Sequence, residues 1–239
     1  MRFIVDRKDI FGIVGLPRSG TTIVSSIFNS ATNAFALVEP KWIFKSQKAN
    51  TLSSEKFGTI DLAGDVVAQA DGLLQSFDVC AIKETFRIYE IYCVEDILNR
   101  LDSVIAVYRD PIYTFNSWRS NNWAPIYNSI DYFITNYERF DTAMTHLSKQ
   151  RKVHYISHEG LCLGQKLFWN KNVSSLQIEG ELQLVWDRDS VNFGDIRARD
   201  SRQVDSVINA SHDKLNPHEV NLINSKLRPI YDRILSVLL

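Results

Sequence analysis

The stretch Phe11-Gly12-Ile13-Val14-Gly15-Leu16-Pro17-Arg18-Ser19-Gly20-Thr21-Thr22 decides how the rest of the chain is read. Ile10 to Val14 is an apolar run with the length of a buried strand, and Gly15 to Gly20 reads as a tight loop. Beyond the loop Ile23, Val24, Ile27 and Phe28 recur at helical spacing, with Ser25, Ser26 and Asn29 between them. Strand, glycine-bounded loop and helix in that order make a phosphate cradle. The glycines let backbone N–H groups turn inward, and the helix N-terminus adds unpaired donors and a partial positive charge. A Walker loop ends in Gly-Lys-Ser/Thr. Here Thr21 follows Gly20, and Arg18 is the loop's one cation, so the expected ligand is anionic but not simply ATP.

Working outward, 239 residues fit one medium-sized α/β domain, taken as 1–239. A content of 45% apolar and 11% aromatic residues supplies a core without disulfides or metals. The formal net charge of −1 argues against a general nucleic-acid binder. Cys80, Cys93 and Cys162 are widely spaced and form no CxxC or Cys/His cluster, which points to reduced thiols, Cys80 buried among them. No apolar run reaches the length of a bilayer span. The expectation is a soluble, cytoplasmic protein.

Phe35 to Val38 is a short apolar segment stopped by Glu39-Pro40, which sets Glu39 at a strand's C-terminal tip. Lys45 to Gly58 reads as a long polar loop. An amphipathic helix is expected from Leu62 to Leu74, a strand at Val79 to Ile82 ending in Lys83-Glu84-Thr85, and a short helix at Val94 to Leu101. Val104 to Val107 is the next strand, tipped by Tyr108-Arg109-Asp110-Pro111. The spacing of Ile130, Phe133, Ile134, Tyr137, Phe140, Met144 and Leu147 predicts a long helix, and Val153 to Ile156 the last parallel strand. Leu176 to Trp186 alternates as a half-buried strand would, interrupted by Gly180, and Asp187 to Arg202 is charged and loop-like. A final helix opens with Asn216 as cap, Pro217 in the first turn and Glu219, and Pro229 kinks or splits it. The fold class that follows is α/β, three layers, with a central, mostly parallel sheet flanked by helices. Ligands of such folds sit beyond the C-terminal ends of the strands, where Arg18, Glu39, Lys83, Glu84 and Arg109 all fall.

At these residues the chain resembles a known family. Gly15 to Thr22 resembles the 5′-phosphosulfate loop of sulfotransferases, which use 3′-phosphoadenosine 5′-phosphosulfate (PAPS) as donor. Arg109-Asp110-Pro111 followed after a five-residue gap by Ser117 is similar to the same family's second signature, in the right order and at the end of a strand. The resemblance runs from about Ile10 to Trp118. It implies a P-loop-type sulfotransferase domain in which Pro17, Arg18, Ser19, Gly20, Thr21 and Thr22 hold the 5′-phosphosulfate. Arg109 and Ser117 would take the 3′-phosphate, by a charge-assisted pair and a hydroxyl donor. Two anionic ends of one ligand need two cradles. Arg18 stands where relatives carry a cation beside the bond that breaks, and sulfuryl transfer is largely positioning and charge stabilisation. No metal is implied. Relatives also close the site with a basic, glycine-containing loop, which makes Arg197, Arg199 and Arg202 candidate contacts.

One branch of the family uses a His two residues after a strand-end Lys as base, but Lys83-Glu84-Thr85 puts Thr there. The branch with a Glu shortly after the loop helix, including carbohydrate- and protein-modifying relatives, matches Glu39 instead. Glu39 is therefore the expected base, Glu84 the second choice, and Lys83 a stabiliser of the transferring group. Glu39 before proline also suits a simple turn cap. Trp118 to Trp123 suits either stacking on a sugar ring or core packing. The five histidines, His146, His154, His158, His212 and His218, show no metal spacing and are expected as polar surface or capping residues. The function expected is transfer of the sulfuryl group from PAPS to an acceptor hydroxyl, on a carbohydrate or glycosylated small molecule. The alternatives are a P-loop kinase or nucleotide hydrolase with an atypical loop, and a non-catalytic nucleotide-binding protein of the same fold.

Overall fold

A computed structural model describes residues 10–38, 51–54, 58–61, 72, 75–86, 101, 103–120, 125–162, 176, 178 and 215–238. Strand β1 (Ile10–Gly15) leads into helix α1 (Thr21–Ser30), and β2 (Ala34–Val38) follows. Next come β3 (Thr51–Ser54), β4 (Gly58–Asp61), β5 (Val79–Thr85) and β6 (Ser103–Tyr108). Helix α2 (Pro111–Ser120), a 3₁₀ turn (Pro125–Asn128), helix α3 (Ile130–Ser148) and β7 (Lys152–Ser157) complete the central part. Helices α4 (Pro217–Lys226) and α5 (Arg228–Leu238) lie at the C-terminal end.

The main sheet has five strands in the order β2-β5-β1-β6-β7, and every pair in it is parallel. The loop-bearing strand β1 is central. Side chains alternate across a strand, and that alternation sorts the core into two layers. Ile10, Val14, Cys80, Ile82, Val104, Ala106 and Tyr108 belong to the layer that also holds Phe115, Phe133, Tyr137, Ile223 and Tyr231 of α2 to α5. Ile13, Val79, Ala81, Ile105, Val107 and Ile156 pack instead with Val24, Ile27 and Phe28 of α1. A sheet covered on both faces needs near-continuous apolar strands, which is what these segments are.

Edge strand β2 is held by Asn29, whose Oδ1 accepts the Ala36 N–H at 2.9 Å while its Nδ2 donates to the Ala36 carbonyl at 3.3 Å. Two expectations need amendment. The polar stretch 45–58 is not loop throughout: Thr51–Ser54 pairs antiparallel with Gly58–Asp61, with Leu52 opposite Ile60. Its Ser and Lys content conceals one short hairpin. Strand β5 does not stop at Ile82 but runs through Lys83-Glu84-Thr85, which pair with Ile13, Val14 and Gly15. Of the two outcomes expected at Pro229, a kink or a split, the helix takes the split. Proline lacks an N–H, and the break falls at Leu227, two residues before Pro229. The Asn216–Glu219 capping box is present as read. The expected helix at 94–101 and the expected strand at 176–186 lie largely outside the described residues, as does most of the helix expected at 62–74.

Candidate functional site

The C-terminal ends of β1, β5, β6 and β7 carry the candidate residues, beginning with the loop after β1. A Cβ added at Gly15 would lie 2.3 Å from Ser19 Oγ, 2.7 Å from the Val107 carbonyl oxygen and 2.8 Å from Thr21 Cγ2. Only glycine lets the loop fold back so closely on β6. Ser19 N–H donates to the Leu16 carbonyl at 3.1 Å, closing the turn. Arg18 (φ 69°) and Gly20 (φ 98°) both sit in the left-handed region. That conformation costs a non-glycine residue about 1 kcal/mol, so Arg18 must be held there by its surroundings.

Three observations test whether this loop fits an anion. Gly20 is the N-cap of α1, and no side chain caps the helix. No acidic residue occupies its first turn, so its first donors are not spent on a carboxylate. Ser19 is buried, and its Oγ has no hydrogen-bond partner among the described residues. A negatively charged group with several oxygens suits that donor set. The loop fits an oxyanion of the phosphate or sulfate kind.

The turn after β6 shows why Arg-Asp-Pro is a physical unit. Asp110 Oδ1 accepts the Ile112 N–H at 2.9 Å, so Asp110 caps α2 and Pro111, lacking an N–H, opens its first turn. Arg109, only 5% exposed, donates from Nη1 to the Arg18 carbonyl at 3.1 Å. Trp118 Nε1 donates to the Pro17 carbonyl at 2.6 Å. The side chain of Arg18 completes the junction, with Nε 2.9 Å from Ser117 Oγ. Arg109 and α2 therefore hold both ends of the Pro17–Arg18 pair. The left-handed Arg18 is maintained from outside the loop.

The structure brings Pro17, Arg18, Ser19, Gly20, Thr21 and Thr22 together with Arg109 and Ser117, as read. Lys83 and Glu84 are in the same rim but part company. Lys83 alternates with Ala81 and Val79 on the α1 face of the sheet, Glu84 with Ile82 and Cys80 on the other. Both are buried, at 5% and 1% exposure. Trp118, at 1% exposure, is core, with its edge against Phe133 and Tyr127, and does not offer a face to a sugar. Glu39, Arg197 and Arg199 lie outside the described residues. Among the described residues, no group of three or more His, Cys, Asp or Glu side chains could hold a metal ion.

The histidines need correction. His146 and His218 are exposed, but His154 and His158 are buried. His158 follows β7 with Nδ1 only 2.5 Å from where a Cβ on Gly20 would stand, so the imidazole is the wall against which the loop turns. Its Nε2 is 3.6 Å from Cys162 Sγ, and Nδ1 has no partner among the described residues. Burial, with Arg109 and Arg18 nearby, pushes this histidine well below its ordinary pKa, and the ring is neutral.

Glu159 stands beside His158 after β7; its Oε1 accepts the Asp110 N–H at 3.1 Å and lies 4.0 Å from Arg109 Nε. Its other oxygen accepts the Tyr231 hydroxyl proton. Burial raises the Glu159 carboxyl above its usual value, opposed by those hydrogen bonds and by Arg109. The tip position after a strand was the signal available for His158 and Glu159. Tyr231 carried none beyond its place in an apolar helix face.

No family model matches the chain, and no curated protein matches its sequence. Among solved structures, the crystal structure of mouse sulfotransferase SULT7A1 complexed with PAP is similar over 98% of this chain and 89% of that one. The TM-score is 0.50 and the sequence identity 13%. The chain has the sulfotransferase fold. Sharing that fold at so low an identity means that backbone course, not side-chain inventory, is what the two proteins have in common. Among the described residues, no helix of the sulfotransferase fold is long and apolar enough to cross a membrane.

Proposed function

We propose that this protein is a PAPS-dependent sulfotransferase acting on an acceptor hydroxyl, carried by a carbohydrate or a glycosylated small molecule. The observation that supports it best is the meeting of Arg18, Arg109 and Ser117 at an uncapped helix N-terminus, within a sulfotransferase fold. A similar protein is complexed with PAP, the desulfated form of the donor. In this reading the α1 N-terminus with Ser19, Thr21 and Thr22 holds the 5′-phosphosulfate, and Arg109 with Ser117 receives the 3′-phosphate. Bound there, the donor supplies an activated sulfuryl group. Arg18 stabilises charge on its leaving side, and Lys83, on the α1 face of β5, stabilises the group itself. Glu39 accepts the proton of the acceptor hydroxyl. Glu84 is the weaker candidate because its strand face points away from α1. Arg197 and Arg199 close the nucleotide end. The whole chain, 1–239, acts as one sulfotransferase domain, and the buried Cys80 and Cys162, not in a disulfide among the described residues, suit a reducing cytoplasm.

Calorimetric titration with PAP tests the donor half. Wild-type protein binds, and Arg109→Ala loses about 30-fold or more, the cost of removing one partner of a buried charge-assisted contact. Absence of wild-type binding overturns the proposal. Transfer of radiolabelled sulfate from PAPS to a panel of sugars and small alcohols, lost in Glu39→Gln, tests the acceptor half. Magnesium-dependent ATP turnover in place of transfer would support a kinase or hydrolase.

A further inference from the structure

Two side chains of α5 end on the two carboxylates that frame Arg109. Arg228 Nη1 donates to Asp110 Oδ2 at 2.9 Å, and the Tyr231 hydroxyl donates to Glu159 Oε2. Glu159 Oε1 then receives the Asp110 N–H at 3.1 Å and faces Arg109 Nε at 4.0 Å. The Tyr137 hydroxyl, from α3, fixes the Arg109 carbonyl at 3.2 Å. With the main chain pinned in this way and Nη1 on the Arg18 carbonyl at 3.1 Å, what remains to be set is the Nε side of the guanidinium.

A guanidinium recognises phosphate through a planar fork, so its direction decides whether an anion meets two donors or one. We propose that Glu159 and Tyr231 are positioning residues that aim Arg109, so that α5 sets the affinity for the ligand's 3′-phosphate. Glu159 restrains the Nε side of the fork. A glutamate carboxylate turns freely unless anchored, and the Tyr231 hydroxyl, in a residue 2% exposed, is the anchor at its second oxygen. Removing that hydroxyl leaves the Glu159 charge in place but held at Oε1, by the Asp110 N–H, so that the carboxylate can pivot about that contact. The inference rests on the donor-binding reading above.

The test is calorimetric titration of PAP and of adenosine 5′-phosphate, which lacks the 3′-phosphate, into wild type and five variants. Tyr231→Phe is expected to lose roughly tenfold or more in PAP affinity, the worth of one hydrogen bond to a charged group. Glu159→Gln loses at least as much, and both lose markedly less for adenosine 5′-phosphate, whose loop Arg109 meets at the Arg18 carbonyl. In an Arg109→Ala background Tyr231→Phe has no further effect, because the two act on one contact. Ile234→Val, a core change on the same helix, lowers the melting temperature while leaving the ratio of the two affinities unchanged. Wild-type PAP affinity in both Tyr231→Phe and Glu159→Gln overturns the inference, as does an equal loss for both nucleotides. Failure of wild type to bind PAP at all overturns the donor reading, and this inference with it.

Discussion

The two turns that build the site are made in opposite ways. In the turn after β1, the N-terminus of α1 has no side-chain cap and Ser19 Oγ has no partner among the described residues. In the turn after β6, the Asp110 carboxylate caps α2 and takes Arg228, its N–H goes to Glu159, and the Arg109 carbonyl goes to Tyr137. The first turn keeps donors unspent and the second spends them. An anion-binding loop cannot be satisfied internally and still bind, so its shape has to be enforced by a neighbour that is. Trp118 on the Pro17 carbonyl and Arg109 on the Arg18 carbonyl are the enforcing contacts.

The most severe way to break this arrangement is at the root of the first turn. Gly15→Ala drives a methyl to within 2.7 Å of the Val107 carbonyl, a backbone atom in the middle of the sheet that cannot step aside. Overpacking against fixed backbone costs about 3 kcal/mol, and the expected result is a lowered urea midpoint together with loss of PAP binding. A wild-type midpoint would mean that the loop does not fold back on β6 as described.

The second turn breaks more gently and in a different currency. Asp110→Ala removes the α2 cap and leaves Arg228 without this carboxylate, an expected loss of about 1 to 2 kcal/mol in chemical denaturation. PAP affinity falls only in proportion to the misplacement of Arg109. Asp110→Asn, which still accepts the Ile112 N–H, recovers most of the cap. If Asp110→Ala matched Gly15→Ala in severity, the distinction between the two turns would fail.

How much of this was legible in the sequence follows from what each residue needs to be recognised. An apolar run ended by a glycine loop is a local pattern, and β1, the loop and α1 fall where they were read. The same holds for α3 and for the Asn216 box, whose signals lie within four residues. Extension of β5 through Lys83 to Thr85 depends on pairing with Gly15, some seventy residues away, and polar letters at a strand end do not announce it. The hairpin of β3 and β4 pairs locally, and its short, Ser- and Thr-rich strands lack the apolar alternation by which a strand is read. Residues acting through tertiary contact were the hardest. Nothing about the letters His158, Glu159 or Tyr231 says that the first walls a glycine, the second faces an arginine and the third holds the second. Register and helix packing put them there.

The smallest expected effect bears on the wall behind Gly20. A protonated His158 would have to sit buried beside Arg109 and Arg18, which is why the folded protein holds it neutral. The unfolded chain takes up that proton near its ordinary value of 6.5, the folded chain only well below it. Between those points the unfolded state binds more protons, so stability falls as pH is lowered, by at most about 1.4 kcal/mol per pH unit. Above the ordinary value the group contributes nothing to the slope. His158→Gln removes the titration while keeping a side chain of similar reach. Urea midpoints measured from about pH 7 down to about pH 5 should therefore decline less in His158→Gln than in wild type. Parallel declines would place the wild-type imidazole in contact with water, and the loop would then be turning against a softer surface than a buried, neutral ring.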